Sequence, residues 1–196
     1  MTRTTVLPGG IVLRLIEPGD ADALAAAYRR NREHLEPWDP ARSEQFFTAT
    51  WHRDEIRLLL DLYDAGRALP LVLVDIGAHA DAEGHADAHR DGDPIVGRVN
   101  VNNIVRGVFL SAGIGYWIDA AYGGRGLATA AVRAVVELAR DDLGLHRLEA
   151  GTLLHNHRSQ RVLQRAGFEV IGVAPRYLRI AGEWQDHRLF QRILHD

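Results

Sequence analysis

The run Leu69–Ile76, LPLVLVDI, is almost continuously apolar. A strand that shows no alternation of apolar and polar residues buries both of its faces. Such a strand needs a covering layer on each side of its sheet. With the order of the elements around it, this points to a mixed α/β domain with one central sheet. The rest of the chain supplies those parts. Strands are expected at Ile11–Ile16, Ile95–Val105, Val108–Asp119, His146–Leu154, Phe168–Ile180 and Trp184–Ile193. Arg106-Gly107 and Ala181-Gly182 are the expected turns of two hairpins. A helix is expected to start near Asp20, its N-cap, and to run to about Asn31. A second is capped by Ser43 and reaches about Ala65, with a stripe of Phe47, Trp51, Leu58, Leu59 and Leu62 facing the core. The third spans about Gly124–Asp142 and turns Leu127, Ala131, Val135 and Leu138 to one side. The fourth spans Asn156–Ala166 and is closed by Gly167. His34–Ser43, HLEPWDPARS, with two prolines, reads as a loop. Neither a repeat nor a second domain is apparent, so residues 1–196 are expected to form one mixed α/β domain.

Composition narrows the chemistry. The chain has 196 residues and no cysteine. Disulfides, thiolate-ligated zinc and an acyl-cysteine intermediate are thereby excluded. No apolar run approaches the ~18 residues of a membrane span. The N-terminus, MTRTTVLPGG, lacks a signal peptide's apolar core, so the expectation is a soluble cytoplasmic protein without a membrane partner. The net charge of −3 argues against broad electrostatic attraction to nucleic acid, and no direct nucleic-acid readout is expected. That charge is unevenly spread. The segment 77–94, GAHADAEGHADAHRDGDP, holds five acidic residues and one arginine, so it carries −4 and the remainder +1. It lacks large apolar residues and is expected to be a mobile insertion between two strands. Its His79, His85 and His89, interleaved with carboxylates, have donor types that a divalent metal accepts. The same residues suit an ordinary low-complexity insertion, and no metal is assigned.

The most specific local feature follows the strand ending at Asp119. Gly123-Gly124-Arg125-Gly126 turns the chain into the helix that begins with Leu127, Ala128 and Thr129. Glycines let the main chain approach a ligand closely. The first N–H groups of a helix lack intrahelical partners, and the helix dipole adds positive potential there, so phosphate is a natural ligand. A tight connection with no ligand has the same local form. A Walker A loop requires Gly-Lys-Ser/Thr, where this chain has Gly-Leu-Ala. A dinucleotide fingerprint requires a glycine where Thr129 stands.

GGRGLATAAV resembles the pyrophosphate motif of the GNAT acyltransferase superfamily, Gln/Arg-x-x-Gly-x-Gly/Ala. Gly126 and Ala128 match its last two positions, and Gly123 departs from its first. Asn156-x-x-Ser159-x-x-x-Leu163-x-x-x-Gly167-Phe168 resembles the RimJ/RimL branch, the bacterial ribosomal-protein-alanine N-acetyltransferases. Asn31–Arg42, Asn102–Phe109 and Arg176–His187 resemble the RimJ type in particular. The resemblance covers nearly the whole chain apart from the acidic insertion. It implies a GNAT-type fold, with a mixed, mostly antiparallel twisted sheet splayed at the acyl-CoA site and about four flanking helices. It implies acetyl-CoA as cosubstrate and the N-terminal alanine of a ribosomal protein as acceptor. A small-molecule amine acceptor and a non-catalytic acyl-CoA-binding module are the alternatives. The oligomeric state is open between monomer and homodimer.

The expected reaction is direct attack of an amine on the thioester in a ternary complex. An α-amine, with a pKa of about 7.7–8.0, is partly neutral at pH 7 and asks little of a base. Glu149, on the strand that splays from Ile114–Asp119, is the expected base, acting through water. The competing reading pairs it with Arg147. His155 and His187 are further titratable candidates. Arg176 stands where some RimL-type enzymes have a glutamate, so that assignment does not transfer. By the resemblance, Ser159 donates to the departing thiolate and Asn156 bonds the pantetheine arm; both also suit the start of a helix. Trp117 and Ile118 supply main chain to the acyl group, with an N–H for the oxyanion. By the same resemblance, Gly124, Arg125, Gly126, Leu127, Ala128 and Thr129 are expected to hold the phosphates. Glu36, Trp38 and Asp39 are expected to line the acceptor's entrance, with Tyr177 and the Asn102–Arg106 hairpin as further wall.

Overall fold

The computed structural model describes residues 4–79 and 93–195. Among these residues, eight strands form one sheet in the order β1-β2-β3-β4-β5-β6-β8-β7. They are β1 (Thr5–Leu7), β2 (Ile11–Leu15), β3 (Leu69–Asp75), β4 (Ile95–Val105), β5 (Ser111–Ile118), β6 (Arg147–Leu153), β7 (Glu169–Ile180) and β8 (Glu183–Ile193). The same described residues form five α-helices: α1 (Ala21–Arg30), the short α2 (Arg32–Leu35), α3 (Ala49–Asp64), α4 (Leu127–Asp141) and α5 (His157–Arg165). Among the described residues, no helix is long and apolar enough to cross a membrane.

The apolar run at 69–76 does what its composition demands. Leu69, Leu71 and Leu73 join the core under α4, together with Val99, Val101, Val135 and Leu148. Val72 and Val74 join the opposite core, with Leu24, Tyr28 and Ile56 of α1 and α3. Successive side chains of a strand point to opposite faces, so β3 spaces the two halves of the molecule. The α4 face is as expected: Leu127, Ala131, Val135 and Leu138 are all buried.

Several local expectations are corrected. β1 lies before the first expected strand, in a stretch given no element, and pairs with β2 from Thr5↔Leu13 to Leu7↔Ile11. His34 and Leu35, expected in a loop, close the short α2. Asp20 precedes α1 but does not cap it with its side chain. Its carboxylate instead takes two bonds from buried Arg14 (2.8 and 2.7 Å) and one from the Glu17 N–H (2.7 Å). A buried guanidinium is a stronger claimant than a helix N–H. The helix expected from Ser43 is divided: a 3-10 turn covers Glu44–Phe47, and Thr48 caps α3 by accepting from Trp51 N–H at 3.3 Å. This division rotates the stripe. His52 and Ile56 are buried, whereas Leu58 is 59% exposed. The hairpin turn after β4 extends through Leu110, so β5 begins three residues later than expected.

The feature that positions the site is a change of pairing. β5 and β6 form the parallel pair, in register only over Ser111↔Arg147, Ala112↔Leu148 and Gly113↔Glu149. Beyond Gly113, β5 keeps its ladder with β4 as far as Ile118, and β6 keeps its ladder with β8 as far as Leu153↔His187. The two strands therefore part, leaving a wedge-shaped opening inside the sheet. Main-chain groups facing into it are left for a ligand or water.

Candidate active site

The glycine turn sits at the open end of β5. Gly126 takes the N-cap position of α4 in the left-handed region, with φ +80°. That conformation suits glycine. A Cβ at Gly124 or Gly126 would meet nothing within 4 Å, so the ground in front of α4 is open. The turn is anchored from behind. Asp119 accepts from Arg30 Nε at 2.6 Å, Asn31 Nδ2 at 2.8 Å and Ala121 N–H at 2.9 Å. Burial opposes the charge on Asp119, yet these bonds together hold its carboxyl below the ordinary range. Asn31 Oδ1 also accepts from Ala120 N–H at 2.9 Å. The C-terminus of α1 thus fixes the strand end that aims the glycine turn. The Arg125 guanidinium lies over the Tyr122 ring, 5.8 Å from its centroid.

Within the opening, neighbouring residues of β5 go to opposite faces. Tyr116 turns to the α5 side, where its hydroxyl lies 2.8 Å from Ser159 Oγ and 3.2 Å from the Ser159 carbonyl. Burial pushes the Tyr116 phenol up to about 12, against the opposing effect of the Ser159 hydrogen bond. Asn156 caps α5, accepting from Ser159 N–H at 3.1 Å. Asn156 and Ser159 are therefore brought together with β5, and each performs the structural task that its position offered. Trp117 turns the other way. Its Nε1 donates to Tyr28 Oη at 2.9 Å, so its indole belongs to the α1–α3 core and only its main chain is left to border the opening. Ile118 packs in part against the α4 core.

Glu149 occupies the vertex, at the last paired position before the strands diverge. It accepts from Arg147 Nη1 at 3.3 Å with its side chain 40% exposed, which is the competing reading made earlier. Gly151 follows on the same face. A Cβ there would lie 3.6 Å from both the Tyr177 and the His187 rings. Those two rings are 5.6 Å apart, and buried His187 donates from Nδ1 to the Gln185 carbonyl at 2.9 Å. Arg176 lies at a bulge of β7 with φ +49°, its N–H bonded to Asp186.

The loop after α2 reaches the same mouth. The Trp38 ring is 5.5 Å from that of His155, just before α5. The Ala181 N–H donates to the Asp39 carbonyl at 3.0 Å, joining the β7–β8 turn to this loop. Beside Ala181 and Asp39 lies a recess of about 170 Å³, lined also by Tyr28, Arg32, Leu35, Glu36, Arg42 and Phe46. Burial raises the Asp39 carboxyl above its ordinary range, and Arg42, 3.5 Å away, opposes this. Glu36 and Asp39 line this recess; Trp38, against His155, and Tyr177, against His187 and Gly151, stand outside its lining, and the Asn102–Arg106 hairpin is far from it. It lies at the closed end of the sheet, where Val105 pairs with Ser111 and Arg106 bonds the Leu143 carbonyl. The acidic insertion's His85 and His89 lie outside the described residues. Tyr116 is the site residue that sequence reasoning missed. Its strand position was readable, but its partner stands 43 residues away.

Comparison with known proteins agrees with this geometry. A family model described as "Acetyltransferase (GNAT) domain" matches residues 11–169. The chain is 33% identical over 179 residues to the [ribosomal protein uS5]-alanine N-acetyltransferase of Escherichia coli, covering 91% of this chain and 85% of that protein. Its structure resembles the ribosomal-protein-S5-alanine acetyltransferase of Vibrio fischeri with a TM-score of 0.88 and 32% identity, covering 99% and 98% of the two chains. It resembles Mycobacterium smegmatis RimJ, solved in complex with CoA-disulfide, with a TM-score of 0.82 and 29% identity over 97% and 86%. A splayed sheet, an open glycine turn before α4 and this breadth of similarity lead to one conclusion: the chain belongs to the GNAT acetyltransferase family and is an acetyl-CoA-dependent N-acetyltransferase.

Proposed function

We propose that this enzyme acetylates the α-amine of a protein N-terminus, the N-terminal alanine of a ribosomal protein. The observation that carries the reading is the mouth on the α1–α3 face. A recess of about 170 Å³ offers the carboxylates of Glu36 and Asp39, beside Arg32 and Arg42, as hydrogen-bond acceptors for a chain-end amine, and its size suits a small side chain. The names of the relatives with 33% and 32% identity, both S5-alanine acetyltransferases, support the same acceptor.

The residues then divide the work. The main-chain N–H groups at the start of α4 bind the phosphates of CoA, with Arg125 adding charge. The β5 main chain at Trp117 and Ile118 holds the acyl arm in the opening, and Asn156 meets the pantetheine. Glu149, at the vertex, takes the proton from the amine through water. Ser159, supported by Tyr116, gives a proton to the departing thiolate. The bond formed is amine nitrogen to acyl carbon, and the bond broken is acyl carbon to sulfur. Activity is in the cytoplasm, where ribosomal proteins are made. A thiol-release assay with acetyl-CoA and an alanine-initiated ribosomal peptide, against polyamines and free amino acids, tests the acceptor. Preference for the peptide is expected. Turnover only on small amines would overturn the reading, as would CoA binding without turnover on any amine.

A further inference from the structure

At the closed end of the sheet, four arginines share one cleft. Arg133 and Arg140 of α4, Arg165 of α5 and Arg192 of β8 line a space of about 330 Å³, with Glu137 as the acid of the lining. The cleft is built rather than incidental. Arg133 donates from Nε and Nη2 to the Arg165 carbonyl at 3.2 and 2.6 Å, and Arg192 bonds the Ala166 carbonyl. Gly167 ends α5 in the left-handed region, with φ +82°, and a Cβ there would stand 3.0 Å from Arg192 Nη1. A side chain at 167 would displace the guanidinium. The cations also feel one another. Burial, then Arg140 and Arg133, lower the Arg192 pKa, and Glu137 only partly offsets this. Arg140 is held fork-on by Asp141. Among the described residues, Arg165 has no ion-pair partner. The four arginines of the cleft thus outnumber Glu137 in its lining and Asp141 beside it.

Converging guanidiniums present planar pairs of donors that fit a phosphate group. The phosphates of acetyl-CoA are not the ligand here. Arg140 lies 13 residues along α4 from Leu127, about 20 Å from the glycine turn at 1.5 Å per residue. The neighbouring surface favours a chain of phosphates over a single one. α5, HRSQRVLQR, contains no acidic residue, and its Arg158, Arg161 and Arg165 are exposed, leading into the cleft.

We propose that this cleft seats a backbone phosphate of RNA, so that α5 and the C-terminal half of α4 dock the enzyme on RNA while the mouth stays free. An enzyme whose acceptor belongs to the ribosome would meet that polymer, although the binding test is independent of the acceptor. The probe is a fluorescent single-stranded RNA 20-mer of mixed sequence, titrated by anisotropy with the enzyme saturated in CoA. The expected result is binding that weakens steeply with salt. The double variant R140Q/R165Q should bind at least tenfold more weakly, with a log–log salt slope shallower by about 1.4, from roughly 0.7 per lost contact on a single strand. The variant's CoA-induced rise in Tm should equal the parent's, which shows that it is folded. Equal RNA binding by parent and variant would overturn the assignment. So would equally tight binding of poly-glutamate, or protection by inorganic phosphate without any RNA binding. Peptide acetylation, measured separately, reports on the acceptor reading and leaves this one untouched.

Discussion

The Tyr116 and Ser159 hydroxyls share a hydrogen bond of 2.8 Å, and the direction of its proton decides what Ser159 can do. If the phenol donates to Ser159 Oγ, the serine proton is free for the thiolate. The desolvated phenol, raised to about 12, stays protonated throughout the working pH range and keeps that direction available. Tyr116→Phe should lower kcat roughly tenfold, about 1.4 kcal/mol, with the KM for acetyl-CoA little changed. Steady-state kinetics with both substrates varied would check this. For Glu149, substitution by Gln should flatten the acid limb of the kcat/KM–pH profile; an unchanged limb clears it of the base role. Asp39 carries a prediction of opposite sign for stability and function. Burial raises its folded-state pKa, so ionising it costs the folded state. The cost is absent where folded and unfolded carboxyls are both protonated, and grows as pH rises from about 3.9, the unfolded value. Asp39→Asn should therefore gain in Tm relative to the parent between acid and neutral pH. Its KM for an alanine-initiated peptide should rise about tenfold with kcat retained, through loss of a charge-assisted contact.

At the scale of elements, α4 and α5 are the parts whose extent could be read most directly. The apolar side of α4 follows the helical period, and the glycine turn before it marks its start. Asn156 does what a residue of its type does before a helix. Asn156→Ala should cost about 1 kcal/mol of stability, from thermal or urea unfolding, and should also weaken CoA binding by disturbing the first turn of α5. α3 was less legible. Its residues were helical in composition, but the break at Thr48 changed the phase and moved Leu58 to solvent. A capping residue inside an apolar stretch competes with helix continuation, and tertiary packing of Phe46 settled that contest. The three-residue strand β1 left no pattern at all, because so short a strand is stabilised by its partner β2 and not by its own sequence.

For the whole molecule, an average charge says nothing of where the charges meet. With a net −3, folding still places Arg133, Arg140, Arg165 and Arg192, scattered over 60 residues, in one cleft. Acetyl-CoA should couple to global stability, because the opening between β5 and β6 exists only in the folded chain. At a hundred times Kd the cosubstrate should add about 2.7 kcal/mol, read as a rise in Tm by scanning calorimetry. No such rise would remove the assignment of the glycine turn. The apolar run at 69–76, the periodic helices and the Gly-rich turn were determined by sequence alone, since each reflects local dihedral preference or the periodicity of burial. The splay of β5 from β6, the meeting of Tyr116 with Ser159 and the bond from Ala181 to Asp39 were decided by tertiary structure. Each depends on the register between segments distant in the chain, and no local preference encodes which strand a residue will face.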